Sequence, residues 1–172
     1  MNRTAIAAAT AATAVLLASC SATTSTAPKN PTGSQAEQQA PSQTADASST
    51  FTAINGVVPK AKLGTTVTAE NDPNHLLGRP GQYTSKITFT DSRINGSDVD
   101  GLEPDDVQRG GSIETFATPA EAKARADYIQ AATQTIPALA EYDYLHGPTL
   151  LRVSHYLTPG QAGEYKQAIE KR

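Results

Sequence analysis

The 172-residue chain has one cysteine, one methionine and no tryptophan. A lone cysteine, Cys20, excludes an intrachain disulfide and any cluster of thiolate ligands, so a folded unit must be held by burial. Every aromatic residue falls between Phe51 and Tyr165. From Ser21 to Thr50 there is no Val, Ile, Leu, Met, Phe, Tyr or Trp, and the stretch is mostly Ala, Ser, Thr, Gln and Pro with few charges, too little apolar surface to repay ordering. No apolar run reaches the roughly 20 residues of a membrane span. Neither sign of charge dominates: 14 Lys and Arg stand against 17 Asp and Glu, interspersed, which is no nucleic-acid footprint. P-loop, GxSxG, HExxH and nucleotide-binding GxGxxG motifs are all missing.

What is present begins at the N-terminus. Met1-Asn2-Arg3 is a short basic start, and Thr4 to Ala18 is an uncharged run of Ala, Thr, Ile, Val and Leu, the layout of a secretory signal peptide over residues 1–19. Leu17-Ala18-Ser19-Cys20 closes that run and resembles the lipobox of bacterial lipoproteins. The resemblance implies that the signal is cut before Cys20, that the Cys20 thiol takes a diacylglycerol, and that the freed amino group is acylated, with palmitate as the expected chain. One myristoyl-sized chain binds a membrane only marginally, but each buried CH2 adds about 0.8 kcal/mol, so two or three chains anchor the protein. Cleavage removes Arg3 and moves the formal charge from −3 to −4. The expected location is therefore the outer face of the cytoplasmic membrane, with residues 20–50 a disordered tether. Such a coil spans on the order of 30 Å at rest and about 100 Å stretched.

One α+β domain is expected over 51–172. Thr118-Pro119-Ala120-Glu121 combines a capping Thr, Pro at the first helical position and Glu three residues after the cap, and starts a helix running to about Thr135. Ala122, Ala126, Ile129, Thr133 and Ile136 form its narrow stripe. Thr158-Pro159-Gly160-Gln161 repeats the start for a terminal helix with Ala162, Tyr165, Ala168 and Ile169 on one side. Between them, Glu141 to Tyr156 reads as two strands around Gly147-Pro148, with Gly supplying positive φ. That turn pairs Tyr144 with Leu151 and Tyr142 with Val153 on a core face. Leu145 then meets Leu150, and Asp143 meets Arg152, on a face expected to be wet. Lys86–Asp91 and Ser112–Ala117 read as further strands, and Asn55-Gly56 as a hairpin turn.

The order from residue 86 is β-β-α-β-β-α, a ferredoxin-like split βαβ in permuted order. It is expected as an antiparallel sheet with two helices on one face, the first strand filling the vacant edge beside Ser112–Ala117. Asn71-Asp72-Pro73-Asn74-His75-Leu76-Leu77-Gly78-Arg79-Pro80, Tyr83-Thr84-Ser85-Lys86, Ala124–Gln130 and Glu141–Tyr144 also resemble a group of small actinobacterial lipoproteins of unassigned function. That resemblance, over about residues 71–172, implies no activity and no catalytic residues.

Candidate sites are few. Asp72 to Gly78, with a capping Asp, Pro and a closing Gly, reads as one helical turn that presents His75 and Arg79 near Tyr83 as candidate binding residues. A structural role, with Leu76 and Leu77 plugging the core and Arg79 paired, is the preferred account. Asp98, Asp100, Glu103, Asp105 and Asp106 form an acidic loop whose spacing departs from a calcium-binding hand, so a solvated loop is preferred. His146 and His155 fall at opposite ends of the hairpin ladder, about 20 Å apart at roughly 3.3 Å per residue, too far to share a metal. No catalytic residue, metal or cofactor is expected. The expectation is a membrane-anchored binding or interaction module whose partner is an envelope protein or cell-wall component. The alternatives are an exported hydrolase using Asp72, His75 and the acidic loop, and a protease-inhibitor-like module.

Overall fold

The protein is described over residues 46–172 from a computed structural model. The signal segment, Leu17-Ala18-Ser19-Cys20 and the tether up to residue 45 lie outside the described residues. The elements run α1 (Ala47–Val57), β1 (Ala61–Thr66), β2 (Ser85–Asp91), β3 (Gly110–Thr115), α2 (Pro119–Thr133), β4 (Glu141–His146), β5 (Thr149–Ser154) and α3 (Pro159–Glu170). The five strands form one sheet in the order β1-β2-β3-β5-β4, and every neighbouring pair is antiparallel. The fold is α+β, and from β2 onward the order is the expected β-β-α-β-β-α, with β2 on the vacant edge of β3 and β5 inserted between the strands that α2 connects.

Local signals account for most of these elements. Both capping boxes form: Thr118 and Thr158 each accept from the backbone N–H three residues on, while Glu121 and Gln161 accept from the cap N–H. Gly147 takes φ 53°, and the β4–β5 ladder has the expected register, Tyr142 to Val153, Asp143 to Arg152 and Tyr144 to Leu151. Gly110 and Gly111 open β3, and Phe89 packs over the strand there. A Cβ on Gly111 would collide with the Phe89 ring and the Arg152 carbonyl.

Four expectations are corrected. Asn55-Gly56 is not a hairpin turn but the end of α1. The Asp46 carboxylate accepts from the Ser48 and Ser49 amides at 2.7 and 2.9 Å, and Ala47, Thr50, Phe51 and Ile54 bury at i, i+3, i+4 and i+7. Residues 46–50, expected in the tether, thus belong to the folded unit. Asp72–Gly78 is a chain of turns and not a helical turn, since the Asp72 carboxylate gathers several amides and His75 takes φ 51°.

The last correction concerns the faces. One face does carry two helices, but they are α1 and α3, which pack over Ile87, Phe89, Ile113, Leu151 and Val153 with Tyr142 and Tyr144 at the margin. The α2 helix lies across the sheet, joining Ala122, Ala126 and Ile129 to Leu150, Tyr83 and Phe116. Strand alternation puts Lys86, Glu114 and Arg152 on that same side. The face expected to be wet is therefore covered. On the other side α3 is pinned by Tyr165, whose hydroxyl donates to Asp91 at 2.6 Å, and by Arg93, which bridges Asp91 and Glu164 at 2.7 and 2.6 Å.

Candidate functional site

Glu114 sits at the centre of the α2 side, 0% exposed, where an isolated carboxylate would be costly. Three elements answer it. Lys86 is its cross-strand neighbour on β2, with Nζ 3.4 Å from Oε1. Arg152 of β5 donates from Nη1 at 3.2 Å, and Arg125, one turn past the α2 capping box, donates from Nε to Oε2 at 3.0 Å. Burial alone would raise the Glu114 carboxyl, but the charges of Arg152, Lys86 and Arg125 overcome it and hold it below the usual carboxylate range. Arg152 is shared with Glu141, which accepts from Nε at 3.1 and 3.2 Å and lies 3.0 Å from Nη2.

Two polar groups at the margin have no such support. Both carboxylate oxygens of Asp143 and the hydroxyl of Ser112 are buried without a hydrogen-bond partner among the described residues. Burial, reinforced by the Glu141 charge and only partly opposed by Arg152 and by the nearby Gln130 side chain, which does not reach hydrogen-bond geometry, pushes the Asp143 carboxyl up to about 7.

Above the ion cluster opens a cavity of about 410 Å³, walled by Lys86, Arg125, Arg152 and Glu141 and by Glu103, Asp105 and Asp106 of the loop before β3. A second cavity of about 420 Å³ shares Asn74 and Arg125 with it and adds Leu76, Gln82, Ala124 and Tyr128. The Arg125 guanidinium lies 5.8 Å from the Tyr128 ring centroid. The acidic loop is held firmly: Arg109 donates to the Glu103 and Leu102 carbonyls at 3.0 and 2.9 Å, and Asp106 caps the Gln108 amide at 2.8 Å. Gln108 in turn bonds the Ala140 carbonyl at 3.1 Å and accepts from Ser154 at its own carbonyl at 2.8 Å. Asp98 and Asp100 do not line this cavity. Among the described residues, no group of three or more His, Cys, Asp or Glu side chains is placed to hold a metal ion.

The residues singled out from the sequence are divided. Tyr83 is wholly buried and donates its hydroxyl to Asp72 at 2.7 and 2.8 Å, so it is a strut and not a binding group. Asp72 also accepts from the amides of Leu76, Leu77 and Asn74 at 2.7, 2.9 and 3.2 Å. Burial works against the Asp72 anion, yet these bonds hold its carboxyl down at about 2. His75 and Arg79 remain at the surface and line a smaller hollow of about 220 Å³ with Asp72 and Leu77. Arg79 makes no ion pair among the described residues, and His75 lines a different cavity from the acidic loop. Leu76 and Leu77 do plug the core beneath α2. His146 pairs with Thr149 beside the turn, while His155 lies past the far end of the ladder against the Ala140 carbonyl.

The sequence reading missed Glu114, Lys86 and Arg125 as a site. A signal existed: alternation sets Lys86, Glu114 and Arg152 on one face, and Arg125 follows Ala122 by three residues, beside the α2 stripe. Among the described residues no helix is long and apolar enough to cross a membrane. No family model, no curated protein and no solved structure matches the chain.

Proposed function

We propose that the protein is a lipid-anchored extracytoplasmic binding module. It is held on the outer face of the cytoplasmic membrane through Cys20 and takes its ligand in the charged cavity between α2, the sheet and the loop before β3. The anchor rests on Leu17-Ala18-Ser19-Cys20 at the end of an uncharged N-terminal run. The observation that carries the binding role is the ion cluster under the cavity. A buried set of ionised groups is seldom more stable than well-packed apolar residues of the same volume, so stability alone gives no reason for Glu114 and three cations beneath a helix. A preorganised charged surface gives one.

Catalysis fits the site less well. The hydrolase reading needs Asp72 as an acid or base, and its carboxylate already accepts four hydrogen-bond donors. The expected partners are an envelope protein or a cell-wall component reached from the membrane, and the mixed charge gives no grip on nucleic acid. Cys20→Ser is expected to move the protein out of the membrane pellet and abolish labelling by a clickable fatty acid; unchanged labelling would remove the anchor. Capture from detergent-solubilised membranes is expected to fall with Arg125→Gln and to survive Lys123→Gln on the exposed side of the same helix.

A further inference from the structure

The cavity over Glu114 is lined by both signs of charge, sorted by element. Its basic wall has donors to spare. Arg125 meets Glu114 through Nε alone, so its two Nη groups bond no acceptor among the described residues. Lys86, only 6% exposed, comes within 3.4 Å of Glu114 without a hydrogen bond and still lines the cavity. Arg152 is different, being spent on Glu114 and Glu141. The opposite wall has spare acceptors. Asp106 is used on the Gln108 amide, but the Glu103 and Asp105 side chains take part in no ion pair or hydrogen bond among the described residues, on a backbone that Arg109 holds in place.

A simple anion in this space would meet Arg125 and Lys86 but also Glu103 and Asp105, and a simple cation would meet the reverse mismatch, so like charges oppose either one. A multiply charged phosphate fares worst. From this lining we infer that the cavity binds a small zwitterion of dipeptide size, its carboxylate on the Arg125 Nη groups and Lys86 and its ammonium on Glu103 and Asp105. Arginine suits the first task because its planar fork takes a carboxylate through two parallel bonds. The cavity, about 410 Å³, accommodates such a molecule, and Leu76, Ala124 and Tyr128 in the adjoining space supply an apolar wall for its side chains. This inference rests on the binding-module reading and gives that reading its ligand class.

The experiment is isothermal titration calorimetry of the detergent-solubilised full chain with alanylalanine, N-acetyl-alanylalanine and alanylalanine amide. Saturable binding of the free dipeptide is expected, with each capped form at least tenfold weaker. Arg125→Gln is expected to weaken the free dipeptide at least tenfold and to erase its advantage over the amide. Because Arg125 also supports Glu114, a second variant acts only on the loop: Glu103→Gln with Asp105→Asn is expected to erase the advantage over the N-acetyl form. Equal affinity for free and capped dipeptides, or no saturable binding of any, would overturn the inference. If the dipeptide fails while Arg125→Gln still abolishes capture from membranes, the zwitterion is wrong and the binding module stands. If that capture is also indifferent to Arg125, both fall.

Discussion

Ile113 and Glu114 are adjacent on β3 and equally buried, yet opposite sides of the sheet keep them so by different means. Ile113 packs among Ile87, Phe89, Leu151 and Tyr165 beneath α1 and α3, where complementary shape suffices and every apolar contact adds stability. Glu114 lies beneath α2 only because Lys86, Arg125 and Arg152 converge on it from three elements. The first side answers to volume and the second to charge balance. Both sides bury an apolar cluster, but the second adds the cavity, the spare donors and an Asp143 carboxylate without a hydrogen-bond partner among the described residues.

The largest effect should come from breaking the charge balance. Glu114→Ala leaves three cations facing one another under α2 and is expected to cost about 3–5 kcal/mol in chemical denaturation. A loss under about 1 kcal/mol would mean that the cluster is solvated and the contrast between the two sides is false. Leu151→Ala on the other side is expected to cost about 2–5 kcal/mol through the cavity it leaves. That loss should stay nearly constant with pH, which separates it from the first.

The pH dependence sharpens the comparison within the polar side. Asp143 has a folded carboxyl raised to about 7, above its ordinary 3.8, so its contribution to stability is complete below the ordinary value and is lost as pH rises through about 7. Asp72, held down at about 2, behaves oppositely: its contribution is present above 3.8 and is lost as pH falls toward 2. Asp143→Asn is therefore expected to stabilise the protein by about 1–4 kcal/mol at pH 8, the upper figure being the full linkage from 3.8 to about 7, and to have little effect near pH 4, as read from urea midpoints. A variant less stable than wild type at pH 8 would show that the Asp143 anion has a partner. The smallest effect belongs to the exposed Lys123–Asp127 pair on α2, where Lys123→Ala should change stability by less than about 0.5 kcal/mol.

Legibility followed the same division. The β4–β5 register, with Asp143 opposite Arg152, could be read from Gly147-Pro148 alone, since a two-residue turn sets the pairing of every residue beyond it. The buried stripe of α3 was likewise legible, because capping and helical period act within a few residues. By contrast, α1 was hidden. Its apolar positions are spread among Ala, Ser and Thr, and Asn55-Gly56, a hairpin signal between strands, sits harmlessly at a helix end where Gly56 has open space around it. The ion cluster beneath α2 was hidden for a related reason. His75, Arg79 and Tyr83 are conspicuous in a turn, whereas Lys86, Glu114 and Arg152 look like ordinary polar residues of half-exposed strands.

By itself, then, the sequence determined the two capped helices, the hairpin and its register, the succession of strands and helices from residue 86, and which residues point the same way within each strand and across the hairpin. All of these follow from contacts within a few residues along the chain or across one tight turn. Only the tertiary structure decided that α2 covers one side while α1 and α3 cover the other, and hence that Glu114 is buried rather than wet. A period of two says which side chains point together but is the same for both faces. Whether a face meets water, a helix or a ligand depends on where a distant segment docks.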